Sequence, residues 1–409
     1  MNGRISTIPT LTAAAMLAAA CASEPFPIDL RIEHEGASNP TVAVTPDGMV
    51  LTAWVGTQRD SANVYLSRVS PDGVVHDPIR VNDVLGDASP HEQAPAQVAA
   101  GSDGLVHVVW QATTPIEERR FPASDLRYAR STDGGRTFTP AVTVNDDTTG
   151  PPSSHTFHNV VAGDDGLIAV SWLDGRVGDS LRTANHDITE DQLPGSDIRV
   201  AVSRDGGKSF THQTVVDTNV CPCCRTSLAW GSDGAIFVSW RKVFDGDIRD
   251  IVVAASRDGG KTFEPPVRVH EDDWVYAGCP HAGPDLAVDA EGRLQATWYT
   301  GAQGRTGLYH AASADGGMTF GFPTSLTGSQ PPTQAKLGVD EAGVVWLAWE
   351  RRGPDGDAIL TDRISATSWR PNPFWLGAGR SPALAARGER RAVAWLGEDG
   401  AVRIRIGPS

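Results

Sequence analysis

The sequence predicts an all-β protein: a single β-propeller of seven four-stranded blades, closed by a strand from near the N-terminus. Three observations carry that expectation. An eight-residue phrase occurs four times, as Ser131-Thr-Asp-Gly-Gly-Arg-Thr-Phe138, Ser203-Arg-Asp-Gly-Gly-Lys-Ser-Phe210, Ser256-Arg-Asp-Gly-Gly-Lys-Thr-Phe263 and Ser313-Ala-Asp-Gly-Gly-Met-Thr-Phe320. Seven strand-like segments each end in Trp, at spacings of 56, 62, 68, 58, 51 and 46 residues, the length of a propeller blade and too long for most solenoid repeats. Between these marks the apolar residues alternate with a period of two and are rich in β-branched types, with no convincing helical periodicity.

Taken in order, residues 1–20 come first. Arg4 is their only charge, and an apolar stretch leads to Cys21, the pattern of an export signal that is not part of the fold. Leu17-Ala-Ala-Ala-Cys21 resembles the lipobox of bacterial lipoproteins, with Ala18 where a branched apolar residue usually stands. That resemblance implies lipidation at Cys21 and a place in a bacterial cell envelope, facing the periplasm or the exterior; plain secretion is the alternative. Residues 21–409 then form one domain, expected as a monomer. With 50 acidic against 35 basic residues the chain carries −15 and shows no basic cluster, which argues against a nucleic-acid partner. No stretch after residue 20 runs long enough without charge to span a bilayer.

The second strand of each unit runs from a tight turn to its Trp. Asp47-Gly48 leads to Trp54, Asp103-Gly104 to Trp110, Asp165-Gly166 to Trp172 and Asp233-Gly234 to Trp240; looser versions lead to Trp298, Trp349 and Trp395. In the fourth unit the strands are expected at 226–230, 235–240, 251–256 and 267–270. The last unit runs out near Ile406 after three strands. Residues 28–33 remain to supply its fourth, which would remove the open sheet edges. Six blades is the alternative if one unit is degenerate.

The repeated phrase suits a hairpin. Its Asp can accept hydrogen bonds from backbone N–H groups just downstream, its paired glycines allow positive φ, and its Phe returns toward a core. It resembles the Asp-box, or BNR repeat, of the sialidase superfamily of propellers, Ser-x-Asp-x-Gly-x-Thr-aromatic. Three copies match fully, Ser209 replaces Thr in the other, and Ser70-Pro-Asp-Gly73 reads as a decayed fifth. The resemblance implies that Asp133, Asp205, Asp258 and Asp315 are structural, in hairpins between third and fourth strands on the face away from any active site. It speaks to fold and not to activity, because such boxes also occur in non-hydrolytic propellers.

Loops joining second to third strands, and loops joining blades, emerge on the opposite face, where functional residues of a rigid scaffold concentrate. Blade-to-blade loops carry His91-Glu92, His155, His158, Cys221-Pro-Cys-Cys-Arg225 and Cys279-Pro-His281. Second-to-third-strand loops carry Arg59-Asp60, Glu117 to Arg120, Asp174-Gly-Arg176, His186-Asp187, Arg241 to Asp250 and Glu350-Arg351-Arg352.

The sialidase resemblance implies three arginines on a substrate carboxylate, an Asp acid/base and a Tyr nucleophile paired with Glu. The usual early Arg-Ile-Pro is only Arg31-Ile32-Glu33 here, and no Tyr follows Tyr309, leaving Tyr276 and Tyr299 as loop-side candidates. Arg225, Arg241 and Arg351 are candidates for a carboxylate cluster, and Asp174 with Arg176 for an acid and its partner. No catalytic residue is assigned.

The cysteines depart most from the sialidase pattern. Cys221, Cys223 and Cys224 open the fourth blade, and Cys279 with His281 opens the fifth at the corresponding position. Thiolates with imidazole suit soft or borderline ions, copper or zinc; His158, His91 and the His155-Thr-Phe-His158 pair could add imidazole. Export favours disulfides as the alternative, although a bond among three near-adjacent cysteines would be strained. The expectation is therefore an exported propeller with a Cys/His-lined site for a small-molecule, glycan or metal ligand. A glycoside hydrolase of the same superfamily and a non-catalytic adhesion or scaffold propeller are the alternatives.

Overall fold

The computed structural model describes residues 24–408 apart from 118, 120, 164, 165, 186, 190, 191, 327–331, 355 and 365–371. The signal segment 1–20 with Cys21, and Glu118, Arg120, Asp165 and His186, lie outside the described residues.

Seven four-stranded antiparallel sheets form the blades, so the six-blade alternative does not hold. Blade 4 is typical: Ser227–Trp230, Ile236–Phe244, Ile248–Ser256 and Val267–Arg268 run from the axis outward. Blade 7 is made from both ends of the chain. Its strands Arg380–Arg387, Arg390–Leu396 and Val402–Ile406 are completed by Ile28–Ile32, with Ile28 opposite Ile406 and Ile32 opposite Val402. Val402–Ile406 alternates buried and half-buried positions, so its register is fixed by which face meets the neighbouring blade.

The seven tryptophans have a common task. Each stands on a second strand and is almost wholly buried. Each also packs into the cluster it shares with the preceding blade: Trp240 with Ile198 and Val200, Trp298 with Ile251 and Val253, Trp54 with Ala392 and Ile404. A blade alone cannot bury an indole on its flat face; its neighbour supplies the other wall, which is why the ring must close.

The four boxes lie between third and fourth strands as expected. In the third, Asp258 Oδ1 accepts from Lys261 N and Thr262 N at 3.0 Å each, and Oδ2 accepts from the Thr262 hydroxyl at 2.7 Å. The acceptor thus caps groups three and four residues downstream. Gly259 and Gly260 take φ of 74° and 85°, a conformation that any side chain resists.

Local expectations fail at three places. His155 and His158, expected in a loop between blades, lie in the first strand of blade 3, His155–Ala162, where His155 pairs with Asp174. A helix, Arg176–Ala184, occupies the second-to-third-strand connection of blade 3. It was not expected from the sequence, and tertiary contacts hold it: buried Asp179 accepts from Ser154 N at 2.8 Å and from Arg119. In blade 4 the hairpin extends past the expected strand ends to a three-residue turn at 245–247, where Gly246 and Asp247 have positive φ. Arg241 and Asp250 are therefore paired strand residues and not loop residues.

Candidate metal centre

Residues 221–225 lead into Ser227–Trp230, the inner strand of blade 4, and residues 279–283 lead into Asp285–Val288, the inner strand of blade 5. Ser227 Oγ accepts from Leu286 N at 3.0 Å and fixes the two strands side by side. Gly283 lets the entry loops touch: a Cβ there would lie 2.4 Å from the Arg225 carbonyl oxygen and 2.9 Å from its nitrogen. His281 takes φ of 51°, the left-handed region that a non-glycine residue enters at some cost.

This apposition gathers the sulfurs. Cys221 Sγ lies 3.5 Å from Cys223 Sγ and 3.6 Å from Cys224 Sγ. The four cysteines among the described residues are free; the first three are buried and Cys279 is exposed. A disulfide needs sulfurs about 2.05 Å apart, whereas two thiolates sharing one tetrahedral ion at about 2.3 Å stand about 3.8 Å apart. The observed spacing is close to the second. Ligand atoms within 4.8 Å of one another form two groups, Cys221, Cys223 and Cys224, and Cys223, Cys279 and His281. Among the described residues, these are the only such groups, and neither includes His91, His155 or His158.

Arg249 reaches the cluster from the third strand of blade 4. Its Nη1 donates to Cys221 Sγ at 3.3 Å and its Nε donates to the Tyr276 carbonyl at 2.5 Å. Donation from the neighbouring thiols, then the guanidinium charge, holds the Cys221 thiol well below its ordinary range against the cost of burial. The Cys223 thiol, which shares its hydrogen with Cys221, is pushed up. Beside it, Trp274 and Tyr276 stack with centroids 5.2 Å apart, and Val275 is 66% exposed.

The three candidate arginines do not come together. Arg241 is buried, donating to the Ala282 carbonyl at 2.8 Å, the Tyr299 carbonyl at 2.7 Å and the Arg249 carbonyl at 2.7 Å, with Trp274 against its face. It is a structural tie between blades 4 and 5. Arg351 is exposed at the end of Val345–Arg351. Only Arg225 faces the axis, where it lines a cavity of about 170 Å³ with Asn39, Gln97, Asn159, Asp285 and Lys336. Lys336 Nζ donates to Asp285 Oδ1 at 2.7 Å, and Leu337 N donates to Oδ2 at 2.8 Å. Burial pulls the Arg225 and Lys336 cations down from their usual ranges.

Asp174 and Arg176 are together, but not as a presented acid. Arg176 clasps Asp174 through two bonds of 2.8 Å, Trp172 Nε1 donates to the carboxylate at 3.0 Å, and His155 Nε2 stands 3.5 Å away. His155 also meets Asp147 at 3.0 Å; burial opposes its charge, but the carboxylates prevail and raise it. This enclosed network anchors blade 3. His158 is fully buried, and burial lowers it to about 4. His91 packs edge-on to Phe157. Among the described residues neither Tyr276 nor Tyr299 hydrogen-bonds a carboxylate through its phenol, and Arg31 lies in the closing strand, bonded to Asp399.

Sequence reasoning missed Gly283, Arg249 as a sulfur partner, and the Lys336–Asp285 pair. A lysine among the apolar residues of 332–339 was the one visible signal.

No protein-family model and no curated protein matches the chain. Among solved structures its neighbours are sialidases and related propeller enzymes. A protein of unknown function from Dyadobacter fermentans aligns at a TM-score of 0.55 and 13% identity over 93% of this chain and 98% of that one. A polysaccharide lyase described as an ulvan lyase aligns at 0.56 and 11% identity over 93% and 96%. The NanB sialidase of Streptococcus pneumoniae aligns at 0.52 and 9% identity over 80% and 68%. Identities this low establish a common fold and nothing about chemistry.

Proposed function

We propose that this chain is an exported, lipid-anchored propeller whose loop face binds a soft or borderline metal ion, copper or zinc. The ligands are Cys221, Cys223, Cys224, Cys279 and His281. The single observation that carries this is the convergence of five donors from two adjacent blade entries, with every ligand atom inside one of two 4.8 Å groups. Thiols this crowded would oxidise in an exported protein unless a bound ion occupied them. Elemental analysis of protein purified without chelator is expected to find copper or zinc, released together with titratable thiols on denaturation. Absence of both metals together with no titratable thiol would replace the site by disulfides. Lipidation predicts that Cys21→Ser moves the protein from the membrane fraction to the soluble one.

A second reading rests on the axial cavity, where buried Arg225 and half-buried Lys336 offer positive charge to an acidic glycan. Hydrolysis of an aryl sialoside, abolished by Arg225→Ala, would promote it; no turnover across a panel of glycosides would leave metal binding or a scaffold role.

A further inference from the structure

We infer that the cluster is a binuclear copper(I) site in which the Cys223 thiolate bridges the two ions. The inference rests on the metal reading above and adds the number, identity and arrangement of the ions. The donors divide into two groups of three that share Cys223 and nothing else. A zinc site of the structural kind needs four donors around one point, and neither group has a fourth. Copper(I) is content with three donors and prefers thiolate sulfur, so each group suits one copper(I) ion.

Geometry identifies the shared atom. One side of Cys221 Sγ is taken by the Arg249 N–H at 3.3 Å, which suits a terminal ligand. Cys223 stands between the inner sulfurs and the exposed Cys279–His281 pair, and a thiolate has lone pairs enough for two ions. The two positions differ in access. Cys221, Cys223 and Cys224 are 1%, 5% and 1% exposed, so the inner ion is shielded, whereas Cys279 and His281 face solvent and make the outer ion exchangeable. Four thiolates in one pocket would repel one another; two monovalent cations and the Arg249 guanidinium offset most of that charge. Each thiol that binds releases its proton to solvent, and copper enters and stays as copper(I), so no oxidant or reductant is required.

The test is anaerobic titration of the reduced full chain with copper(I) supplied as its acetonitrile complex, counted by native mass spectrometry. X-ray absorption on the loaded protein then reports whether a short copper–copper path exists. Two equivalents with that path are expected. The double variant Cys279→Ser/His281→Ala changes only exposed side chains and is expected to fold and keep one ion; Cys223→Ser is expected to keep at most one and to lose the copper–copper path. A wild-type chain that saturates at one copper or one zinc overturns the bridged pair while leaving a metal site in place. A chain that binds no ion overturns both.

Discussion

The Arg249 guanidinium donates to Cys221 Sγ across 3.3 Å while its Nε holds the Tyr276 carbonyl. One side chain thereby braces the thiol loop of blade 4 and the segment that carries Cys279. Hydrogen bonds from a charged donor contribute about 1.5–3 kcal/mol each when partly buried. Arg249→Gln is expected to cost about 1–3 kcal/mol in denaturant unfolding of the metal-free chain, with the slope unchanged. An equal midpoint in the variant would show that the contact carries no net energy.

Gly283 is the position where the two entry loops meet. Gly283→Ala places a methyl 2.4 Å from the Arg225 carbonyl, so a loop must move. Overpacking of this kind costs about 1–3 kcal/mol, and the movement separates Cys279 from Cys223. The variant is expected to bind the outer ion at least tenfold more weakly in a chelator competition while retaining the β-sheet circular dichroism of the parent.

Acid should find the boxes. Slight desolvation pushes the Asp205 carboxyl up, but donors from Ser209, Ser203 and Lys208 outweigh it and hold it at about 2. The folded form thus binds its proton later than the unfolded chain, near 3.9. Stability from this group is present above about pH 4 and is lost as pH falls toward 2. In Asp205→Asn the dependence of unfolding free energy on pH across that window should weaken by roughly one proton. An unchanged slope would show that Asp205 is not linked.

His310 works over a higher window. Burial lowers it to about 4, and its Nε2 faces Gln295 Oε1 at 2.8 Å. The unfolded imidazole titrates near 6.5, so the unfolded chain takes up the proton first and stability falls from about pH 6.5 down to about 4. The loss from this group reaches about 3 kcal/mol. His310→Gln should remove one proton's share of that slope while His107 and His158, lowered by the same cause, keep theirs.

Much of the architecture was legible because its signals are local. An Asp two residues after a Ser and followed by paired glycines makes the same hairpin wherever it occurs. A Trp at the end of an alternating strand marks one blade, so seven of them fixed the count. The leftover strand at 28–32 followed from an incomplete last blade. The helix Arg176–Ala184 was not legible, since it is held by Asp179 contacts from Arg119 and Ser154, far away in the chain.

The site divides along the same line. The sequence by itself determined that Cys221, Cys223, Cys224, Cys279 and His281 stand at the entries of consecutive blades, because strand periodicity and spacing place those entries on one face. Only the tertiary structure decided what the neighbouring arginines do. Arg241 became a tie among carbonyls because its hairpin runs longer than its alternation suggested, Arg351 stayed at the surface, and Arg225 turned to the axis. Those outcomes depend on which atoms an adjacent blade presents, and a linear pattern carries no record of them. The contact that brings the sulfurs together is of the same kind: it exists because Gly283 lacks a Cβ where the backbone of Arg225 passes.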